Sequence, residues 1–270
     1  GREGRYMYKY WEISKVHMKE QLTWRADVVF NMLFTIVKIL FAYLLWGIIF
    51  QGKSMIGQFT FHGMLSYYIV SSFLSQLEMS SGISWEIHDR IRQGSFSKYM
   101  VIPVSVQAYF VFMEIGVVGF YFLFDLIAAV VWKFAFRIRF QLTNDPLIVV
   151  IAVVMAVLGL LFMVQLSFLL GIMTLKYQGI GTFLMIKNNL MELVTGTIVP
   201  LTLFPAGVVN VMKYLPFYYV TYLPSMLLTG HCEQEALKGL GIMIAWCVGI
   251  QAVIWATWKK YIKKYDGVGI

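Results

Sequence analysis

The sequence has 270 residues, 59% of them apolar and only 13% charged, with a formal net charge of +8 and a mean hydropathy of +0.71. So little polar surface cannot coat a water-soluble globule, which makes lipid the expected solvent. The cations flank apolar stretches instead of forming one basic face, which argues against nucleic acid as a partner.

Taken in chain order, MYKYWEISKVHMKEQLTWR (7–25) puts Met7, Tyr10, Trp11, Met18, Leu22 and Trp24 on one side of a helix. Lys9, Glu12, Lys15 and Glu20 fall on the other side, with Val16 out of pattern. Such a helix lies in the membrane interface, so residues 1–26 are read as a cytoplasmic amphipathic interfacial helix. Apolar stretches of the length that crosses about 30 Å of hydrocarbon follow at 28–50, 61–79, 104–132, 147–175, 183–204 and 237–258. Between the second and third, SWEIHDRIRQGSFSKYMVIPVS is charged at its start, carries Gly94, then presents Phe96, Tyr99 and Met100 before Pro103. That pattern predicts a short amphipathic elbow over 84–103. Between the fifth and sixth, a Tyr-rich apolar segment is broken by Pro216 and Pro224 into halves too short to span, which predicts a re-entrant hairpin over 205–231. A basic tail, 259–270, closes the chain.

The expectation is an all-α integral membrane protein with a six-helix transmembrane domain over 27–258. Six crossings put both termini on one side. With the termini cytoplasmic, about fifteen Lys and Arg lie inside against about six outside, the discordant piece being KFAFRIRF at 133–140.

GIIFQGKS, residues 47–54, fits the P-loop pattern letter for letter, and FYFLFD, ending at Asp125, has the look of its partner strand. A working P-loop needs a strand, a glycine turn and a helix whose free N–H groups hold phosphate. Here the first motif leaves a crossing on the outer side and the second lies inside one, so this chain is not expected to bind ATP. H-E-x-x-H and G-x-S-x-G are absent, and His17, His62, His88 and His231 have no ligand-like spacing, so neither a metal site nor a catalytic site is expected. Cys232, in a loop, and Cys247, in mid-helix, are about 15 positions and hence about 22 Å apart, too far for a disulfide.

Polar side chains inside a membrane face protein or water. Ser71, Ser75 and Glu78 form one stripe, and Asn188, Glu192 and Thr195 another, which makes them candidates for a translocation surface or for helix–helix contacts. Lys38 and Glu114 are candidates for a buried ion pair, and Asp125 for neutralisation by Lys133 or Arg137.

The run IRQGSFSKYMVIPVS, with Arg92, Gly94, Phe96 and Pro103, resembles the segment after the second span in ABC-2 type exporter permeases of the small, six-span, daunorubicin-resistance-like kind. PLTLFPAGVVNVMKYLPFYYVTYLPSMLLTG, with Pro200, Pro205, Leu215, Pro216, Phe217, Pro224 and Gly230, resembles the same family's outer hairpin. Ile102 departs from the basic residue many relatives carry there. The resemblance implies a permease subunit moving an amphipathic substrate, with no ATPase activity of its own. ATP and Mg would sit on a separate partner ATPase, present in two copies, and a second permease subunit, identical or a sister, would complete the dimer in a bacterial cell membrane. Glu86, Asp89, Arg90 and Arg92 would touch the ATPase, Gly94 would turn the coupling helix, and Phe96 and Tyr99 would pack it against the membrane helices. Pro205, Pro216, Phe217 and Pro224 would form the outer gate. The competing expectations are a transporter or channel without ATP, or an intramembrane enzyme.

Overall fold

The computed structural model describes residues 2–23, 25–135, 137–177, 179–194, 201 and 204–265. The α-helices along them are α1 (Arg2–Gln21), α2 (Arg25–Ile49), α3 (Phe61–Leu77), α4 (Ser81–Arg92), α5 (Ser97–Met100), α6 (Val106–Ala135), α7 (Pro146–Ile172), α8 (Gly181–Val194), α9 (Ala206–Met212), α10 (Tyr222–Leu228) and α11 (Ala236–Tyr261). Among the described residues there is no strand, only a single bridge between Ile56 and Phe59.

Four helical stretches, Ala26–Ile49, Val106–Phe134, Pro146–Leu175 and Glu233–Tyr261, are long and apolar enough to cross a membrane. The 17-residue α3, about 25 Å long, falls short of that length, and of the expected span at 183–204 the stretch 195–200, with 202 and 203, lies outside the described residues, α8 being described over 14 residues. The shortfall in α3 has a local cause. Its helix is capped at Thr60, whose hydroxyl accepts from Gly63 N, and ends at Glu78, from which the chain turns directly into α4. The helix under the elbow therefore begins at Ser81, three residues before the expected 84.

α7 is the central helix, apolar all round and buried along much of its length, with α11, α4 and α10 packed on it. α2 lies at the periphery, and Phe30, Phe34, Phe41 and Ile48 stand exposed on it. An apolar helix with so much uncovered surface is one whose outer neighbour is lipid or another apolar chain.

The connections gather at two ends. At one end, His231 Nε2 lies 3.3 Å from the Gln58 carbonyl, Thr143 N donates to Leu228 O at 2.9 Å, and Gln141 N donates to Ser66 Oγ at 2.9 Å. At the other end, α1, α4, α5 and the last turn of α11 meet: Ser97 N donates to Tyr265 Oη at 3.2 Å, and Phe96 packs on Trp258 and Tyr265.

α1 does not turn its whole apolar side outward. Tyr10, Ser14, His17 and Met18 are covered to varying degrees, while Trp11, Val16 and Leu22 stay exposed. Tyr10 stacks on Phe112 with ring centres 4.7 Å apart, Ser14 Oγ donates to Phe112 O at 2.6 Å, and His17 Nε2 lies 3.1 Å from Tyr109 Oη. The approach to α6 is so close that a Cβ at Gly116 would lie 2.2 Å from the Ser14 carbonyl oxygen. Trp24 lies outside the described residues.

Candidate functional site

The elbow is built by local sequence. Ile83, Ile87 and Ile91, with Ser84 and His88, recur at helical spacing and are buried against α7, while Gly82, Trp85, Asp89 and Arg92 are exposed on the other side. The contact is tight: a Cβ on Gly171 would lie 2.8 Å from Ile87 Cβ. Ser84 Oγ donates to Ser167 O at 2.9 Å, and His88 Nδ1 lies 3.0 Å from Thr174 Oγ1. Gly94 ends α4 with φ +71°, a conformation that disfavours any side chain. Ser95 N then bonds Arg90 O and Gly94 N bonds Ile91 O, the paired closure of a Schellman motif.

Beyond that turn the chain folds back on itself. Phe96 is fully buried, and Tyr99 packs between Tyr109 and Phe110 of α6. Glu86 ties the two limbs together, accepting from Tyr99 Oη at 2.6 Å, Arg90 Nε at 2.9 Å and Lys98 Nζ at 3.4 Å. Partial burial works to raise the Glu86 carboxyl, but the Tyr99 and Arg90 hydrogen bonds outweigh it and hold it below the usual carboxylate range. Burial and that same carboxylate push the Tyr99 phenol well above its ordinary value. Of the four predicted polar contact residues, Asp89 and Arg92 stand free of the fold, whereas Glu86 and Arg90 are half-buried and spent largely on the elbow itself.

At the root of α4 lies a buried charge cluster that the sequence did not announce. Lys187 on α8 is 4% exposed and donates to Ser81 Oγ at 2.8 Å and Ser167 Oγ at 3.4 Å. Glu78 bonds Ser80 through both its backbone N–H and its hydroxyl, and that hydroxyl lies 3.0 Å from Ser167 Oγ. Buried Glu114 accepts from Met79 N at 3.2 Å, and the charged groups beside it are Glu78 and Lys187. The expected partner Lys38 instead lines a cleft with Asn31, Ser75 and Gln76. A cavity of about 540 Å³ between α1, α4 and α6 runs from Glu86 and Arg90 to Glu114. Lys187 escaped sequence reading because it resembles a flanking cation; its position beside Asn188, on a stripe already singled out, was the available signal.

The two predicted stripes are only partly brought together. Glu78 joins the cluster, and Ser81 Oγ lies 3.4 Å from Asn188 Oδ1. Ser71 is buried inside the bundle, and Ser75 faces the cleft beside Lys38. The Glu192 side chain and Thr195 lie outside the described residues.

At the opposite end, Pro205 precedes α9, Pro216 opens a 3-10 turn over Pro216–Tyr219, and Pro224 sits in the first turn of α10, where its missing N–H costs little. Pro216, Phe217, Tyr218, Tyr219 and Pro224 are buried, whereas Pro205 is exposed. Phe217 meets Phe162 of α7 at 6.4 Å between ring centres, and Tyr218 Oη donates to Glu235 Oε2 at 3.1 Å.

Residues 47–54 run from the last turn of α2 into a turn, and no helix begins before Phe61, so the loop lacks the helix N-terminus that holds phosphate. Asp125 is buried inside α6 and no ion pair forms there among the described residues. Lys133 lies eight residues on, about 12 Å along the helix axis, so it does not neutralise Asp125 as expected. Both cysteines are free. Among the described residues no cluster of His, Cys, Asp and Glu could hold a metal ion.

A family model described as ABC-2 family transporter protein matches residues 36–269. No curated protein and no solved structure matches the chain.

Proposed function

This chain belongs to the ABC-2 family of transporter proteins, and from that premise we propose that it is the membrane permease subunit of an exporter driven by a separate ATPase. The family match makes it a multi-pass membrane transport protein. The finer reading is a six-span, daunorubicin-resistance-like subunit with both termini in the cytoplasm of a bacterial cell. It works as a dimer with an identical or sister permease, two ATPase copies supply ATP and Mg, and the cargo is amphipathic.

The observation that supports it best is the construction of α4–α5. A coupling element must present a free polar face to its driver and be too stiff to absorb the push. α4 presents Trp85, Asp89 and Arg92, while its other face is locked onto α7 and its return limb is pinned through Glu86 and Tyr99. A push on the exposed face passes to α7 through Ile87 and Ser84, and to α8 through Ser81 and Lys187. The hairpin at 205–231 then serves as the outer gate.

In the decisive experiment the purified chain alone hydrolyses no ATP, and transport appears on co-reconstitution with its cognate ATPase. Asp89→Lys with Arg92→Glu, both on the exposed face of α4, should dissociate or uncouple the pair, lowering transport by about tenfold or more, the scale of lost interfacial charge contacts. Unchanged assembly and transport in that variant would overturn the elbow assignment.

A further inference from the structure

Between α2, α3 and α6 lies a cavity of about 340 Å³ that the coupling reading does not use. Its lining includes Ile36, Phe124, Ala128 and Trp132, with Thr35 and Gln76 on one side and Asp125 as its charged group. Asp125 is 4% exposed, and its Oδ2 has no hydrogen-bond partner. The Gln76 carbonyl is already taken by the Thr35 hydroxyl at 3.0 Å.

We propose that this cavity is a binding site for an organic cation with an apolar body, whose charge pairs with Asp125 and whose hydrocarbon fills the space against Phe124, Ala128 and Trp132.

The chemistry excludes the simpler occupants. A carboxylate deep in an apolar, membrane-embedded helix is costly unless a cation pairs with it or a proton neutralises it; among the described residues no Lys or Arg forms an ion pair with Asp125, and a proton alone leaves Oδ2 without a hydrogen-bond partner. A hydrated metal ion needs six or more oxygen ligands, and one carboxylate, one hydroxyl and one amide among apolar side chains do not supply them. A neutral lipid tail would fill the space but leave Oδ2 unpaired. An organic cation meets both demands, and the aromatic rings in the wall favour it further.

This inference names a ligand class for the permease reading and rests on it for its meaning as a cargo site. Its test needs no ATPase, so failure of binding leaves coupling through α4 standing, and failure of coupling leaves binding standing. The full chain in lipid nanodiscs is titrated with radiolabelled tetraphenylphosphonium, against empty nanodiscs. Saturable binding is expected, with affinity falling about tenfold or more in Asp125→Asn. The uncharged analogue triphenylphosphine oxide should not displace the cation. Because a neutral isostere removes a buried charge, Asp125→Asn should keep its thermal midpoint; if it does not fold, Ala128→Trp decides between the outcomes, filling the cavity with the carboxylate intact and abolishing binding. Unchanged affinity in a folded Asp125→Asn, unchanged affinity in Ala128→Trp, or competition by triphenylphosphine oxide equal to that of unlabelled tetraphenylphosphonium would each overturn the site.

Discussion

The elbow and the hairpin were both expected to be moving parts, yet they are built on opposite plans. α4 buries one face and leaves the other free, and its return limb is held by a few charge-assisted bonds centred on Glu86. The hairpin leaves its first limb, from Pro205 to Tyr214, largely exposed, but its second limb gives up nearly all its surface: Phe217, Tyr218, Tyr219, Tyr222 and Leu223 are buried, and a Cβ on Gly159 of α7 would lie 2.9 Å from Val220 Cα. The elbow can thus be pushed as a unit without unpacking anything, whereas a gate at the hairpin can open only by separating a packed aromatic layer. Damage to the hairpin should appear as lost stability, and damage to the outer face of the elbow as lost coupling.

The charge cluster at the root of α4 offers the most severe way to break this comparison. Lys187→Met leaves buried Glu114 and half-buried Glu78 without the cation beside them, an uncompensated arrangement that costs about 3–5 kcal/mol. Adding Glu114→Gln should recover part of that loss. Thermal unfolding in nanodiscs reads both, and a double variant no better than the single would mean that packing, not charge, holds the elbow's root.

Next in size is the hairpin itself. Phe217→Ala empties a buried aromatic site beside Phe162 and should cost about 3 kcal/mol. Asp89→Ala, on the exposed side of α4, should stay within about 0.5 kcal/mol of the parent while weakening ATPase stimulation in the reconstituted complex. Comparable stability losses in the two variants would erase the distinction between the ends.

What was legible in the sequence was local. Gly94 at the turn and Phe96 and Tyr99 after it are contained in one short stretch, so turn chemistry and spacing suffice to place them; the isoleucines that anchor α4 stand at helical spacing just before them and were not singled out. The apolar length of α2, α6, α7 and α11 was equally plain, and it also showed that a helix, not a strand, leads into residues 47–54. What escaped depends on contacts between segments far apart in the chain. Lys187 meets Ser81 and Ser167 only once α8 is laid across the α3–α4 junction, and Glu114 turns to Met79 rather than Lys38 because α6 faces that junction. The span assigned to 61–79 was too long because hydropathy does not register the turn at Glu78. A stripe such as Ser71, Ser75 and Glu78 shares a helical face, but its members meet different neighbours.

The mildest probe uses proton concentration to loosen only the buried face of α4. His88 is 5% exposed and packs against Thr174. Burial holds its imidazole below the ordinary histidine value, with Asp89 pulling it up and Arg92 pushing it down. The unfolded chain therefore takes up a proton at a higher pH than the folded chain does, and stability falls as pH drops through and below the ordinary histidine value. Above that value both states are neutral at this site and its contribution is complete. Lowering pH from about 7.5 to about 5.5, across the unperturbed histidine range, should reduce the thermal midpoint of the parent, and the reduction should be smaller in His88→Asn, which keeps a polar group facing Thr174. Hairpin variants should retain the full pH response, because His88 packs on Thr174 at the opposite end of the molecule from the hairpin. An undiminished response in His88→Asn would shift the sensitivity away from the elbow and dissolve the last difference between the two ends.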